Sequence, residues 1–285
     1  MDWHTRPTNV GMLSCSASLN TSSVMTSFAS GRVLLSLGIS ALLGCASPPA
    51  VFSQQAAAVV PHGATPLDGS RQMVLVVTPA WDSTSGTLRR FVRASNADAW
   101  RAVGEVVPIV VGRTGVAWDD SQVRPGAGEP VKHEGDGRSP AGAFALDTAF
   151  GFDSRQSVSW ARLPYVQLGS ATECVDDDRS AHYNTIVNRD SVARVDWSSS
   201  ERMRTIGQYA YGVHVAYNAP PRPSRGSCIF LHIWAGPRSV TAGCTAMEQD
   251  ALKTLIGWID PKQRPMLVQL PASALARLRT DWRLP

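Results

Sequence analysis

The residues best able to do chemistry in this chain lie in two adjoining stretches. The first is Cys228-Ile229-Phe230-Leu231-His232-Ile233-Trp234, and the second is Val240-Thr241-Ala242-Gly243-Cys244-Thr245-Ala246-Met247. A thiolate is a strong nucleophile, a neighbouring imidazole can take and return its proton, and unpaired backbone N–H groups can hold an oxyanion. Together these are the parts of acyl transfer. Cys244 is the candidate nucleophile and His232 the candidate base. The N–H groups of Gly243 and Cys244 are the candidate oxyanion donors. A lone cysteine or a lone strand histidine is more often a packed core residue, so the argument rests on the two standing around one glycine turn. Zinc is a further reading, with Cys228, His232 and Cys244 as ligands. It lacks a C-x-x-C pair and a fourth ligand, so neither a metal nor another cofactor is expected.

The elements that must position these residues are readable from pattern. Ile229 to Ile233 is an apolar run of strand length in which His232 is the one ionisable member. Ala235 to Arg238 is a short turn. Thr245-Ala246-Met247-Glu248 has the form of a capping box with Thr245 as N-cap. Met247, Ala251, Leu255 and Ile259 follow at helical spacing, and Pro261 stops the run. This spacing predicts a helix beginning directly after Cys244, whose free N–H groups and dipole would favour the thiolate.

The stretch around Cys244 resembles the catalytic segment of the L,D-transpeptidase family (YkuD-type domain), whose motif is a strand histidine, a loop, then Ser/Thr-His-Gly-Cys. A second block, Glu134-Gly135-Asp136-Gly137-Arg138-Ser139-Pro140-Ala141-Gly142-Ala143-Phe144, resembles that family's Gly-Asp-Gly-(Lys/Arg)-(Thr/Ser)-Pro-x-Gly-x-Phe segment. The blocks come in the family's order, and the resemblance spans roughly Met73 to Pro271. The chain differs at Ala242, where the family carries a second histidine, and at Ala246, where many members carry arginine. Its gap from His232 to Cys244 is also shorter. The resemblance implies a mainly β fold, an L,D-transpeptidase-like β-sandwich or partly closed barrel with a few short helices. It also implies action on peptidoglycan stem peptides. Cys244 would attack the carbonyl at the L-centre of diaminopimelate, next to a terminal D-Ala. His232 would take the thiol proton and return one to the leaving amine. Passing the acyl group to an amine would make a transpeptidase, and passing it to water an L,D-carboxypeptidase. Thr241, Trp234 and Arg238, in the same loop, are candidates for substrate contact. Arg238 would hold the donor carboxylate in place of the arginine absent at Ala246. The competing expectation is a module that binds peptidoglycan without cutting it.

The rest of the chain fits an exported protein. Its 285 residues are 44% hydrophobic and 18% charged, a composition that can build a core. The formal charge is only +4, and no basic run suggests nucleic acid. Residues 1–45 read as a signal region in which Met25 opens a better signal peptide than Met1. Arg32 precedes the apolar run Val33 to Gly44, too short to span a bilayer comfortably. Its end, Ala41-Leu42-Leu43-Gly44-Cys45, resembles a bacterial lipobox, which would make Cys45 a lipid-modified N-terminus. Ala46-Ser47 after it implies the outer membrane, facing the periplasm. Residues 46–71, rich in Ala, Pro, Gly and Ser, read as a tether. Residues 72–285 read as the catalytic domain.

Within that domain the β-rich runs are Met73 to Thr78, Thr87 to Ala94, Val106 to Val111, Tyr211 to Tyr217 (with His214) and Pro265 to Leu270, and Ala272 to Arg279 reads as a terminal helix. Gly112 to Gly128 reads as loop, and the glycines of the second block as a turn shaping the backbone beside the cleft. Asp176-Asp177-Asp178 lacks the alternation of a calcium loop and reads as a solvated turn. Ser198-Ser199-Ser200-Glu201 forms a second capping box, with a short helix to follow. With Cys15 discarded, Cys45 given to lipid and Cys244 kept as nucleophile, Cys174 and Cys228 remain to form a disulfide. It would close a loop of about 50 residues, stabilise the fold by roughly 3–4 kcal/mol on the chain-entropy model, and anchor the strand carrying His232.

Overall fold

The computed structural model describes residues 64–285, so Cys45 and the expected signal region lie outside the described residues. The chain forms β1 (Gln72–Thr78), β2 (Ser85–Val92), β3 (Arg101–Val110), β4 (Val116–Trp118), β5 (Ser139–Gly151), β6 (Tyr165–Gln167), β7 (Thr172–Val175), β8 (Ile186–Asn188) and β9 (Ser200–Arg202). It continues through β10 (Tyr211–Val215), β11 (Phe230–Ile233), β12 (Thr245–Met247), α1 (Gln249–Trp258), β13 (Met266–Pro271) and α2 (Ala272–Leu278). The fold is mainly β, as expected. Among the described residues no helix is long and apolar enough to cross a membrane.

Eight strands pair in the ring β10-β11-β12-β3-β2-β1-β13-β5, and β5 pairs back to β10, which closes a barrel. The expected alternatives of a sandwich or a partly closed barrel are thus replaced by full closure. What closes the ring is the length of β5. Its first half pairs with β13 and its second half with β10, and a strand of 13 residues can serve both neighbours. This strand begins inside the Gly-Asp-Gly block, at Ser139. β1 is a continuous apolar run and is buried on both faces, between β2 and β13. Its Met73, Val74 and Val76 are core residues together with Leu231, Leu267 and Val268. Helix α1 packs against β10 and β11, and α2 against β13 and β1.

Three corrections concern boundaries. The chain expected to be tether up to Arg71 is already packed from residue 64: Leu67 is fully buried, and the Arg93 guanidinium donates to the carbonyls of Leu67 and Ser70. The loop expected over Gly112 to Gly128 holds β4, which runs parallel to β5. The second expected capping box is β9 instead. Ser200, Glu201 and Arg202 pair with Val175, Cys174 and Glu173 of β7, and only 3-10 turns follow.

β7, β8 and β9 form a second, three-stranded sheet. It is short, so its stability has to come from side chains. Two devices supply it. A disulfide joins Cys174 of β7 to Cys228, two residues before β11, as expected. Glu173, 2% exposed, accepts hydrogen bonds from Trp197 Nε1 (2.8 Å), Ser200 Oγ (2.8 Å) and Arg189 Nη1 (3.1 Å). Between this sheet and the barrel lies a second apolar cluster, comprising Phe150, Leu168, Cys174, Ile186, Met203, Tyr209, Cys228, Phe230 and Cys244.

Burial pushes the Glu173 carboxyl up, but hydrogen bonds from Ser200, Trp197 and Arg189 outweigh it and hold the group below its ordinary 4.5. The stabilisation is therefore complete at neutral pH and is lost only as acid carries the pH below that range. Glu173→Ala, which leaves two buried donors without an acceptor, is expected to destabilise the protein by about 2 kcal/mol or more in denaturant unfolding at neutral pH. The difference from wild type should shrink in acid; a pH-independent loss would mean that packing alone is responsible.

Candidate active site

The site begins with the pairing of β11 and β12. They run parallel, with Leu231 opposite Thr245 and His232 opposite Ala246. Paired residues point to the same side of a sheet and alternate along each strand. Leu231 faces the barrel interior, so Phe230, His232 and Cys244 share the outer face, beneath the second sheet. Sequence reasoning thus chose two residues that the fold brings to one face. It did not foresee that they would be covered.

The turn carrying Cys244 is clamped. The Cys244 carbonyl accepts from Ser139 Oγ at 2.8 Å and from Thr241 Oγ1 at 2.6 Å. Ser139 Oγ in turn accepts from the N–H of Gly112 at 3.0 Å. The Gly-Asp-Gly block therefore does more than shape the backbone: its serine fixes the peptide of Cys244. Asp136 organises the block, accepting from the N–H groups of His133 (2.8 Å) and Arg138 (2.9 Å) and from Lys132 Nζ (2.7 Å). Gly137 sits at φ +69°, a left-handed backbone, and a Cβ there would meet the Arg113 side chain at 2.8 Å.

The helix expected to start after Cys244 starts later. Residues 245–247 form β12, and the N-cap of α1 is Glu248, whose carboxylate accepts from the N–H groups of Asp250 and Ala251. Thr245 cannot cap, because its hydroxyl is buried and donates to Gln269 Oε1 at 2.6 Å. No helix terminus therefore stands at Cys244 to favour a thiolate. Burial pushes the thiol up to about 12, and the negative charge of Glu201 adds to the shift. The Phe230 N–H, donating to the sulfur at 3.4 Å, opposes it. The sulfur itself donates to the Cys228 carbonyl at 3.4 Å. At rest Cys244 is thus a protonated thiol.

His232 is 8% exposed. Its Nδ1 donates to the Ile233 carbonyl at 2.7 Å, which leaves Nε2 with its lone pair. Burial holds the imidazole below its ordinary range, so it is neutral at pH 7. No hydrogen bond joins it to the Cys244 sulfur among the described residues. A ring that sequence reasoning missed packs against His232. Tyr209 meets His232 edge-on with centroids 5.3 Å apart, and Phe230 at 5.4 Å. The Tyr209 hydroxyl donates to Glu201 Oε2 at 2.6 Å. Burial pushes the Glu201 carboxyl up to about 7, helped by Asp176 and Glu134.

The other expected residues are placed as follows. The Gly243 N–H is already used, donating to Thr241 Oγ1 at 3.2 Å, so as an oxyanion donor it has to exchange that partner. Thr241 is a clamp of the turn, as described. Trp234 is half-buried, with its N–H on the Met247 carbonyl, and Arg238 is exposed. Ala246 is fully buried between Val110 and His232. His214 lies on β10 opposite Phe230, with Nδ1 2.9 Å from Asp147 Oδ1. The sulfur of Cys228 is bonded to Cys174, which removes it as a zinc ligand. The Asp176–Asp178 stretch is not a solvated turn. Asp177 is buried and accepts from the N–H and hydroxyl of Ser198, and Asp176 Oδ1 is buried without a hydrogen-bond partner among the described residues.

The disulfide reaches the site through backbone. Cys228 adopts φ +54°, a conformation that costs a non-glycine residue about 1–2 kcal/mol. It is held there by the bond to Cys174 and by Asn184 Oδ1, which accepts the Cys228 N–H at 2.9 Å. Its carbonyl is thereby turned onto the Cys244 sulfur.

A thiol pushed from 9.0 to about 12 carries about a thousandfold less thiolate at neutral pH. A small thiol reagent is therefore expected to modify Cys244 about a thousandfold more slowly in the native protein than in denaturant. Equal rates would show that the sulfur is neither covered nor held protonated. Comparison with protein-family models, with curated proteins and with solved structures finds no match to this chain.

Proposed function

We propose that this protein is a cysteine-dependent acyltransferase of the L,D-transpeptidase kind, acting on peptidoglycan stem peptides. The observation that carries the reading is the parallel β11–β12 register, with His232 and Cys244 on one face and the turn of Cys244 clamped by Ser139. Two blocks chosen for their resemblance to one family, about a hundred residues apart, thus meet at a single carbonyl. A purely structural cysteine does not need such a clamp.

In this reading Cys244 attacks the carbonyl preceding the terminal D-Ala and forms a thioester. His232, neutral and with a bare Nε2, is the base for the incoming amine. The covered thiol has to be uncovered as substrate enters, and the sheet of β7, β8 and β9 is the part that overlies it. Arg238, exposed in the β11–β12 loop, is the proposed partner of the donor carboxylate, with Trp234 of the same loop a second candidate contact. Export and lipid attachment at Cys45 belong to the same proposal, since the wall polymer lies outside the inner membrane. Binding without turnover is the second reading, and the protonated, buried thiol favours it.

Incubation of the full chain with purified muropeptides, followed by mass spectrometry, separates these readings. Release of D-Ala with new cross-links is the expected result, and release without them would mean that water resolves the thioester. Cys244→Ala is expected to lower turnover by at least about a thousandfold while leaving the fold intact. Wild-type protein that binds muropeptides and leaves them unchanged would establish the binding role. Separately, Cys45→Ala should release the protein from the membrane fraction, and a wild-type chain found unlipidated in the periplasm would remove the anchor but not the catalytic reading.

A further inference from the structure

At the far end of β3 from Cys244 lies a site that the acyl-transfer reading does not use. β3 opens at Arg101 and ends at Val110, which pairs with Ala246. Its 10 residues span roughly 30 Å, so what binds at the Arg101 end does not touch the thiol. An open pocket of about 440 Å³ lies there, lined by Val92, Arg93, Ala94, Asp98, Ala99 and Arg101. Pockets for small ligands fall in this size range.

Arg93 is 6% exposed, and no carboxylate among the described residues makes an ion pair with it. Its Nε donates to the Ser70 carbonyl at 2.9 Å, and its Nη2 to the Leu67 carbonyl and to Asn96 Oδ1. Nη1 has no partner among the described residues and is not sealed from solvent, so it is the nitrogen left to serve the pocket. The guanidinium stacks on Trp100, 4.2 Å from the ring centroid, and Trp100 Nε1 is buried with no partner among the described residues. A second cation is held beside the first. Arg71 Nη1 donates to Asn96 Oδ1 at 3.1 Å, and Arg93 Nη2 reaches the same oxygen at 3.3 Å. Two guanidinium groups thus share one neutral acceptor.

The charges around this pair do not balance. Arg101 and Arg283 add to Arg71 and Arg93, and only Asp68 and Asp98 oppose them. Both carboxylates are already engaged, Asp68 by Thr65 and Asp98 by Ser95, and neither makes an ion pair with an arginine among the described residues. Burial, and after it the charge of Arg71, disfavours the Arg93 cation. A buried cation without a counter-charge is costly until an anion is brought to it. A carboxylate offers two oxygens and suits one guanidinium fork. A phosphate offers more and can answer several arginines together.

We propose that this pocket binds a phosphate group, held by Arg93 Nη1 and by the side chains of Arg101 and Arg71. The group can come from soluble phosphate or from the headgroup of an anionic phospholipid. The second source has a motive in the chain. The segment Thr65 to Arg71, which walls in Arg93, follows closely on residues 46–63. Where Cys45 carries lipid, those residues hold this face no further than roughly 60 Å from the bilayer. Binding here needs neither Cys244 nor peptidoglycan.

The test uses the full chain with Cys45→Ala, so that no attached lipid contributes. Calorimetric titration with inorganic phosphate is run with sodium acetate as background salt, which fills any site open to anions in general. The expected result is about one phosphate per chain, half-saturated at about a millimolar or below. Arg101→Gln and Arg71→Gln should each weaken binding about tenfold or more. Arg124→Gln, which removes an exposed arginine elsewhere, should leave it unchanged. Arg101 is itself exposed, so its variant gives an answer even if a change at Arg93 unfolds the chain. No saturable phosphate binding, or equal weakening in Arg124→Gln, overturns the proposal. The second arm is co-sedimentation with vesicles of phosphatidylglycerol in phosphatidylcholine. Sedimentation lost in Arg101→Gln and Arg71→Gln, and displaced by inorganic phosphate in the parent, assigns the site to a lipid headgroup. Phosphate binding with sedimentation indifferent to these variants assigns it to a soluble phosphate.

Discussion

Because β11 and β12 run parallel, the chain leaving Ile233 has to return to the level where β11 began before it can pair again. That return carries Thr241, Gly243 and Cys244, and its landing point is fixed by hydroxyls. Ser139 and Thr241 both donate to the Cys244 carbonyl, while Gly112 holds Ser139 from behind. Gly112, just past β3, and Ser139, the first residue of β5, thereby fix one peptide to within hydrogen-bond tolerance. Closure of the barrel makes this possible, since β5 has to reach both β13 and β10 while its first residue still meets the turn.

Burial then decides the chemistry available at rest. The outer face of β11 and β12 would be solvent-exposed in a bare barrel. Here the small sheet of β7, β8 and β9 covers it, held by the Cys174–Cys228 disulfide and by the hydrogen bonds converging on Glu173. Under that cover the thiol is pushed up, the imidazole down and the Glu201 carboxyl up, all in the sense that disfavours charge. With the thiol and the imidazole both held neutral, the cover shields the Cys244 sulfur from solvent. Acyl transfer, as proposed, needs that cover to open.

The same cover links stability to function. Left-handed Cys228 is tied to the second sheet by its sulfur and to Asn184 by its N–H, while its carbonyl touches the Cys244 sulfur. Loosening β7 would therefore release the backbone group that accepts the thiol proton. The features that make the small sheet stable are the ones that keep the Cys244 thiol covered.

The sequence by itself determined the strands whose pattern is local and repetitive. β1, β11, β13 and α2 follow from apolar runs and alternation, and the disulfide from the count of cysteines left over. Cys244 and His232 were chosen on a local signal, a reactive residue type beside a glycine turn, and the fold brings both to one face. Other features were not. A capping box and a three-residue strand look alike in a tetrapeptide, so Thr245 and Glu201 were both read as helix starts; whether a threonine hydroxyl caps a helix or meets Gln269 depends on a partner 24 residues away. Tyr209 and Glu201 have no spacing that marks them, because their hydrogen bond joins a strand of one sheet to a turn that packs on another. The ionisation of Cys244 was misjudged for the same reason. A helix N-terminus is visible in sequence, whereas desolvation is a property of everything packed around an atom, and only the tertiary structure brings the second sheet over the sulfur.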